Sequence, residues 1–166
     1  MRDMAEDHAL VLTSLQQAGI EGLEDYGRFV NNTKYFAPSS FDEVAAYPVL
    51  LRLFPNLTDH KELGTIARYL GHFRVSDNAF TILHDAFVRF APVDKSLGWV
   101  LGDSLAKRGK ATDLNQILDV CLDRSYGEAR QMVVYSIWRY KSDVRVQQTL
   151  ERLVNDPDVS LQAASV

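Results

Sequence analysis

The segment from Leu97 to the C-terminus repeats itself after 32 residues. Shifting the sequence by this length places apolar positions on apolar positions and polar ones on polar ones. The apolar pairs include Leu101 with Val133, Leu105 with Ile137, Leu118 with Leu150 and Cys121 with Leu153. Such a period is typical of stacked helical hairpins, because a single hairpin cannot bury its apolar face alone. The repeat therefore predicts an all-α fold, a solenoid of helical hairpins.

Apolar residues recur at helical spacing over most of the chain, and no stretch has the alternating pattern of a strand. The third predicted helix begins near residues 43–46, so that Pro48 falls in or close to its first turn, where a missing N–H is tolerated. Asp113 and Asp143 begin later helices and are expected to satisfy free N–H groups, either as N-caps or as first-turn acids. The predicted helices span residues 3–18, 23–30, 43–54, 61–72, 77–90, 95–107, 113–123, 127–140, 143–154 and 158–166.

A turn-forming stretch at 33–40 divides the chain into a helical N-terminal cap, 1–38, and the repeats, 39–166, within a single compact domain. The final helix begins a third copy and stops after about two turns. The last repeat is therefore incomplete, and we expect further residues to be truncated or disordered. Aromatic residues near the joint are expected to pack the cap onto the first repeat: Tyr26, Phe29, Tyr35, Phe36, Phe41 and Tyr47.

Charge and cysteine content argue against several classes of protein. The formal net charge is −4, and residues 61–166 hold 13 acids and 14 bases, too few bases in excess to grip a nucleic-acid backbone. The N-terminus lacks the apolar run of a signal peptide, and nowhere do 18 apolar residues follow one another, so we expect a cytoplasmic protein without membrane contact. Cys121 falls at an apolar repeat position and is expected to be buried rather than reactive.

No residue pattern predicts catalysis, a metal or a cofactor. His60, His72 and His84 are spaced by 12 but fall on different helices or turns, with no cysteine partner. His84 and Asp85 are adjacent, and neighbouring helical residues point about 100° apart, so they do not easily share a target. One set of basic residues is expected to tie adjacent repeats through Asp or Glu side chains: Arg130, Arg139 and Arg145.

Three segments resemble HEAT repeats, and more closely the compact bacterial HEAT-repeat proteins with a helical N-terminal cap. Residues 45–51 resemble the start of a second helix in a HEAT unit, 156–159 resemble the inter-repeat turn, and 126–132 resemble a first-helix start. The resemblance covers about residues 41–166. It implies a right-handed α-solenoid with first helices on the convex face and second helices on the concave face. HEAT arrays include scaffolds, transport adaptors, chromophore lyases and a class of DNA glycosylases, so the resemblance does not imply a chemistry.

If second helices line a concave face, their polar side chains form the candidate binding surface. This surface is neutral and rich in amides, which suits a protein or peptide partner better than a phosphate backbone. The candidates are Arg52, Asn78, Thr81, Asp85, Asn115, Gln116, Asp119, Gln147, Gln148 and Glu151. The sequence therefore favours a non-enzymatic scaffold whose partner and oligomeric state it does not specify.

The alternative is an enzyme that acts on a nucleobase or a linear tetrapyrrole in the groove. A glycosylase would use an aromatic platform and a carboxylate to hold a flipped base. The residues that could serve are Trp99, Trp138, Asp103 and Arg139.

Overall fold

The computed structural model describes residues 4–27, 40–71 and 79–164, and within them it contains α-helices and 3-10 helices but no strand. The prediction of an all-α fold is confirmed. Two compact units are present, Met1–Leu70 and Gly71–Val166. The predicted boundary between cap and repeats falls at the end of residues 28–39, which lie outside the described residues, and it stays a prediction.

The described residues of the first unit, 4–27 and 40–70, form three α-helices, in which α1 packs against α2 and α2 against α3. Asp42 caps α2, since its side chain accepts a hydrogen bond from the N–H of Ala45 at 2.9 Å. Pro48 is the sixth residue of this helix, one turn further inside than the sequence predicts, because the Asp42 cap sets the start at Glu43. The helices are α1 (Met4–Gln17), α2 (Glu43–Leu53) and α3 (His60–Leu70), with 3-10 turns at Leu23–Asp25 and Phe54–Asn56.

The sequence predicts a helix at 23–30, and this prediction is wrong for residues 23–27, the part that the structure describes. Only the 3-10 turn Leu23–Asp25 forms, and Tyr26 leaves the helical region with φ −57° and ψ 129°. Gly22 and Gly27 flank the turn with φ of 72° and 82°, a left-handed conformation that favours glycine. These two glycines reverse the chain where the apolar spacing alone predicts a continuous helix.

A buried carboxylate, Glu62, joins three segments of the first unit. His8 Nδ1 lies 3.0 Å from its Oε2, and the Tyr26 hydroxyl donates to its Oε1 at 2.5 Å. Burial raises the pKa of Tyr26, and the charge and hydrogen bond of Glu62 raise it further. The Tyr26 ring stacks on Tyr69 and meets Phe41 edge-on, with centroids 5.7 and 5.4 Å apart. The other aromatic residues predicted at the joint include Phe29, Tyr35 and Phe36, which lie outside the described residues.

In the second unit, the part of the chain that the structure describes forms six α-helices: α4 (Ala79–Phe90), α5 (Lys95–Arg108), α6 (Leu114–Leu122), α7 (Gln131–Ser136), α8 (Val144–Leu153) and α9 (Ser160–Ala164). Three 3-10 segments connect them, at Ala111–Asp113, Arg124–Arg130 and Ile137–Tyr140. Helix α5 packs against α4 and α7, α7 also packs against α9, and α6 packs against α8. Helices related by the 32-residue register, α5 with α7 and α6 with α8, therefore contact one another.

Several residue pairs 32 apart in this unit have matching burial. The apolar pairs of the sequence repeat are buried in both copies: Leu101 and Val133, Leu105 and Ile137, Leu118 and Leu150, and Cys121 and Leu153. The polar pairs are exposed in both copies: Asn115 and Gln147, Gln116 and Gln148, and Asp119 and Glu151. The sequence period thus corresponds to a period in packing.

Two glycines allow α5 to approach the following segment closely. A Cβ atom on Gly102 would lie 2.4 Å from the carbonyl oxygen of Ala129. A Cβ atom on Gly98 would lie 2.8 Å from the Cα of Ala91 and 3.0 Å from the Cβ of Ala129. Larger side chains at these positions would clash with these atoms and move α5 away from Ala91 and Ala129.

The predicted continuous helix at 127–140 is wrong. Gly127 has φ 50° and ψ −134°, so the chain breaks there, and α-helical structure begins only at Gln131 and gives way to a 3-10 helix after Ser136. Asp113 has the second of its two predicted roles, that of a first-turn acid which satisfies a free N–H. Its side chain accepts from the N–H of Lys110 at 2.8 Å, which closes the 3-10 turn before α6 rather than capping α6 itself. Asp143 does cap α8, through the N–H of Arg145 at 2.9 Å.

Arg130 is completely buried and explains the break before α7. Its Nη2 donates to both carboxylate oxygens of Asp156, at 2.8 and 2.9 Å. Its Nη1 and Nε donate to the carbonyls of Cys121, at 2.7 Å, and Gly127, at 3.1 Å. Asp156 is also buried and receives a second cation, with Arg124 Nε 3.2 Å from Oδ2. The pairing that the sequence predicts for Arg130 is confirmed, although at a buried position.

We expect Arg130→Met and Asp156→Ala each to lower the free energy of unfolding by about 3–5 kcal/mol, because each leaves buried polar partners uncompensated. Urea denaturation followed by circular dichroism measures this loss. Arg145→Met, which removes the solvent-exposed pair with Asp143, is the matched control and should have a much smaller effect. Equal losses in the two arginine variants would contradict the assigned role of Arg130.

Stability should also fall in acid through Asp156. Burial by itself would raise the pKa of this carboxyl, but the hydrogen bonds from Arg130 and the N–H of Asp158, with the charges of Arg130 and Arg124, lower it overall. A folded pKa below the unfolded value of about 3.9 contributes stability above that value, which is lost as the pH falls through the folded pKa. The stability difference between the native chain and Asp156→Ala should therefore narrow between about pH 5 and pH 2. A constant difference across this range, measured by urea titrations, would show that the carboxylate is not held in its charged form.

Candidate functional site

A shallow groove runs between α6 and α8. Its volume is about 390 Å³, and its walls combine amide, carboxylate and guanidinium groups with two leucines. Arg145 crosses the groove, since its Nη1 donates to Oδ1 of Asn115 at 2.7 Å. The lining residues are Asn115, Leu118, Asp119, Leu122, Arg145, Gln148, Thr149 and Arg152.

Three of the ten predicted binding residues line this α6–α8 groove, namely Asn115, Asp119 and Gln148. The remaining predictions are distributed more widely. Gln116, Gln147 and Glu151 are exposed on α6 and α8 outside the lining, Thr81 and Asp85 are exposed on α4, Arg52 is exposed on α2 of the other unit, and Asn78 lies outside the described residues.

The basic residues that α8 contributes to the groove are not among the predicted binding residues. Arg145, Gln148 and Arg152 follow one another at helical spacing, so they share one face of α8. This spacing was available in the sequence. The apolar spacing marks Leu118 and Leu150 as core positions. It does not indicate that the charged face beside them forms the wall of a groove.

Arg145 is held in place by Asp143 at the start of α8. Its Nη2 and Nε bind the two Asp143 carboxylate oxygens at 2.6 and 2.9 Å. Hydrogen bonds from the side chain and the N–H of Arg145 lower the pKa of Asp143 to about 2, and the same pairing raises the pKa of Arg145. The guanidinium is therefore charged and oriented toward Asn115 before any partner arrives.

A second groove lies between α5 and α7, with a volume of about 660 Å³. Three of the residues that the sequence names for a glycosylase, Trp138, Asp103 and Arg139, line it together. Trp99 is exposed but lies outside the lining. The lining residues are Asp103, Ala106, Lys107, Met132, Tyr135, Ser136, Trp138, Arg139 and Lys141.

Hydrogen bonds fix several side chains of this α5–α7 groove. Lys107 Nζ donates to Asp103 at 2.6 Å, and the Trp138 ring N–H donates to the carbonyl of Gln162 at 3.2 Å. Arg139 donates to the carbonyl of Ala106 in the preceding hairpin. The sequence predicts that Arg139 joins adjacent repeats through an Asp or Glu side chain. In the structure its partner is a backbone oxygen instead.

Other titratable groups of the second unit do not form a site. His84 Nδ1 lies 3.6 Å from Oδ1 of Asp85, and the His84 ring stacks on Phe80. Within residues 4–27, 40–71 and 79–164, no group of three His, Cys, Asp or Glu side chains could hold a metal ion. In the same ranges, no helix is long and apolar enough to cross a bilayer.

Cys121 is fully buried, as the sequence predicts, and burial raises the pKa of its thiol to about 12, although the charge of Arg130 lowers it in part. Because the thiolate is the nucleophile, we expect no reaction of the folded chain with Ellman's reagent at pH 8. Addition of denaturant should release one thiol per chain. Prompt reaction without denaturant would contradict the buried position.

Comparisons with known proteins leave the site to be judged from its geometry. No protein-family model matches the chain, no curated protein matches it in sequence, and no solved structure matches it.

Proposed function

We propose that this chain is a non-enzymatic HEAT-like scaffold, a right-handed α-solenoid that binds a protein or peptide partner through the face formed by its second helices. The 32-residue period and the matching burial of paired positions support the solenoid. The contacts of α5 with α7, α7 with α9 and α6 with α8 are those expected of stacked hairpins. A cytoplasmic location is part of this proposal.

The α6–α8 groove is the observation that carries the binding function. Asn115, Asp119 and Gln148 are exposed, and their amide and carboxylate groups can donate and accept hydrogen bonds. An extended peptide presents alternating N–H and C=O groups along its backbone, which such a lining can pair. Leu118 and Leu122 at the floor give a partner side chain an apolar contact.

The enzyme alternative has one observation in its favour, which is that Trp138, Asp103 and Arg139 line the same groove. The chemistry of these groups argues against it. Asp103 is bound by Lys107, and the Trp138 ring N–H is used by a backbone carbonyl. These groups serve the packing of α5, α7 and α9, so the scaffold is the better-supported proposal.

Charge reversal on the second helices tests the proposal. We expect the double variant Asp119→Lys with Glu151→Lys to lose partners that the native chain captures. Two positive charges would replace the two carboxylates that face a partner, so groups that pair with the carboxylates would be repelled. Affinity capture from the native cell, quantified by mass spectrometry for both proteins in parallel, measures the loss. We expect a decrease of about tenfold or more for a genuine partner.

The matched control is Glu21→Lys with Glu128→Lys, which makes the same change in net charge at exposed positions outside the groove. This control should capture partners as the native chain does. Equal recovery by the Asp119 and Glu151 variant would overturn the concave-face proposal, provided that its circular dichroism and melting temperature match those of the native chain.

A further inference from the structure

We propose that the α5–α7 groove is a second binding site, which takes an acidic peptide segment carrying one large apolar anchor side chain. This groove lies on the first helices, whereas the proposed scaffold surface lies on the second helices. The two sites therefore use different side chains, and each can fail without the other.

The floor of the groove is apolar and accessible. Met132, Tyr135 and Trp138 lie within or beside α7, and Ala106 of α5 faces them. Tyr135 is 57% exposed, although most aromatic side chains in a folded unit bury the greater part of their surface. Aromatic residues and Met are enriched where proteins contact one another. An apolar partner side chain would find contact here without rearrangement of the core.

The rim of the groove is basic. Lys107, Arg139 and Lys141 contribute three positive charges, and Asp103 contributes the single negative charge of the lining. Asp103 is already bound by Lys107, so it does not offer a carboxylate to a cationic partner. Two of the three cations remain in excess, and they lie at the end of the groove next to Trp138. This charge is complementary to Asp or Glu side chains that flank an apolar anchor.

A nucleic acid is a poorer occupant. Phosphate-backbone binding depends on the number of phosphates neutralised, and the groove has an excess of two charges in a region of the chain that is close to neutral. Two excess cations suit two carboxylates of one short peptide.

Isothermal titration calorimetry with three synthetic peptides of matched length tests the proposal. The first carries Glu and Asp around a central Leu, the second replaces Leu by Ala, and the third replaces the acids by Lys. We expect the first to bind with a Kd of about 100 µM or tighter, the second about tenfold more weakly, and the third not measurably. Affinity for the first peptide should fall as salt is added, because the rim charges are exposed.

Two variants locate the site on the protein. Tyr135→Ala should weaken the first peptide about tenfold, and Tyr135→Phe should restore binding because it keeps the ring. Lys141→Glu should weaken it about threefold to tenfold at low salt, while Lys61→Glu, an exposed lysine on α3, should leave it unchanged. The Asp119→Lys and Glu151→Lys variant should also bind the first peptide normally, which separates this site from the scaffold surface.

Several outcomes would overturn the proposal. They are the absence of saturable binding by the first peptide, equal binding by the basic peptide, tighter binding of a single-stranded oligothymidine, or normal binding by Tyr135→Ala. The exposed positions of Tyr135 and Lys141 mean that these variants should fold, and thermal melting verifies this.

Discussion

The arrangement of the second unit depends on the buried ion pair between Arg130 and Asp156. Desolvating a guanidinium and a carboxylate is costly, and a buried pair persists only when both groups find good partners. Here the guanidinium also binds the carbonyls of Cys121 and Gly127. One side chain thus connects the end of α6, the break before α7 and the turn before α9. Because each contact is directional, these segments have one compatible arrangement, which fixes the helices that form both grooves.

The first unit uses a comparable device with the opposite charge. Glu62 of α3 is buried and receives His8 from α1 and Tyr26 from the turn after it. An apolar contact tolerates sliding, whereas a hydrogen bond to a buried carboxylate specifies position. In both units, therefore, a charged side chain inside the core specifies how segments distant in the sequence meet, and the surrounding leucines and alanines supply most of the burial.

Sequence periodicity was sufficient for most of the second unit and insufficient at its irregular points. Helices α5, α6 and α8 lie within one or two residues of their predicted bounds, because their apolar spacing is regular and acids precede them. The break at Gly127 was missed, since it depends on Arg130 finding Asp156 26 residues later, and no local pattern encodes that contact. The repeat register predicted correctly that Asn115, Asp119 and Gln148 of the candidate site are exposed. The basic wall from Arg145 and Arg152 did not follow from the register, because it arises only when α8 lies against α6.

The two copies of the 32-residue repeat that contain Gly98 and Arg130 cannot replace each other, although they share a common register. Gly98 and Arg130 are 32 residues apart and so occupy the same place in consecutive copies. In one copy this place must be empty for α5 to lie against Ala91 and Ala129, and in the next it holds the guanidinium that Asp156 neutralises. A larger side chain at Gly98 would clash with Ala91 and Ala129, and loss of the guanidinium at Arg130 would remove the buried partner of Asp156. The two copies are thus distinguished at a position where one holds a glycine and the next a buried charged side chain.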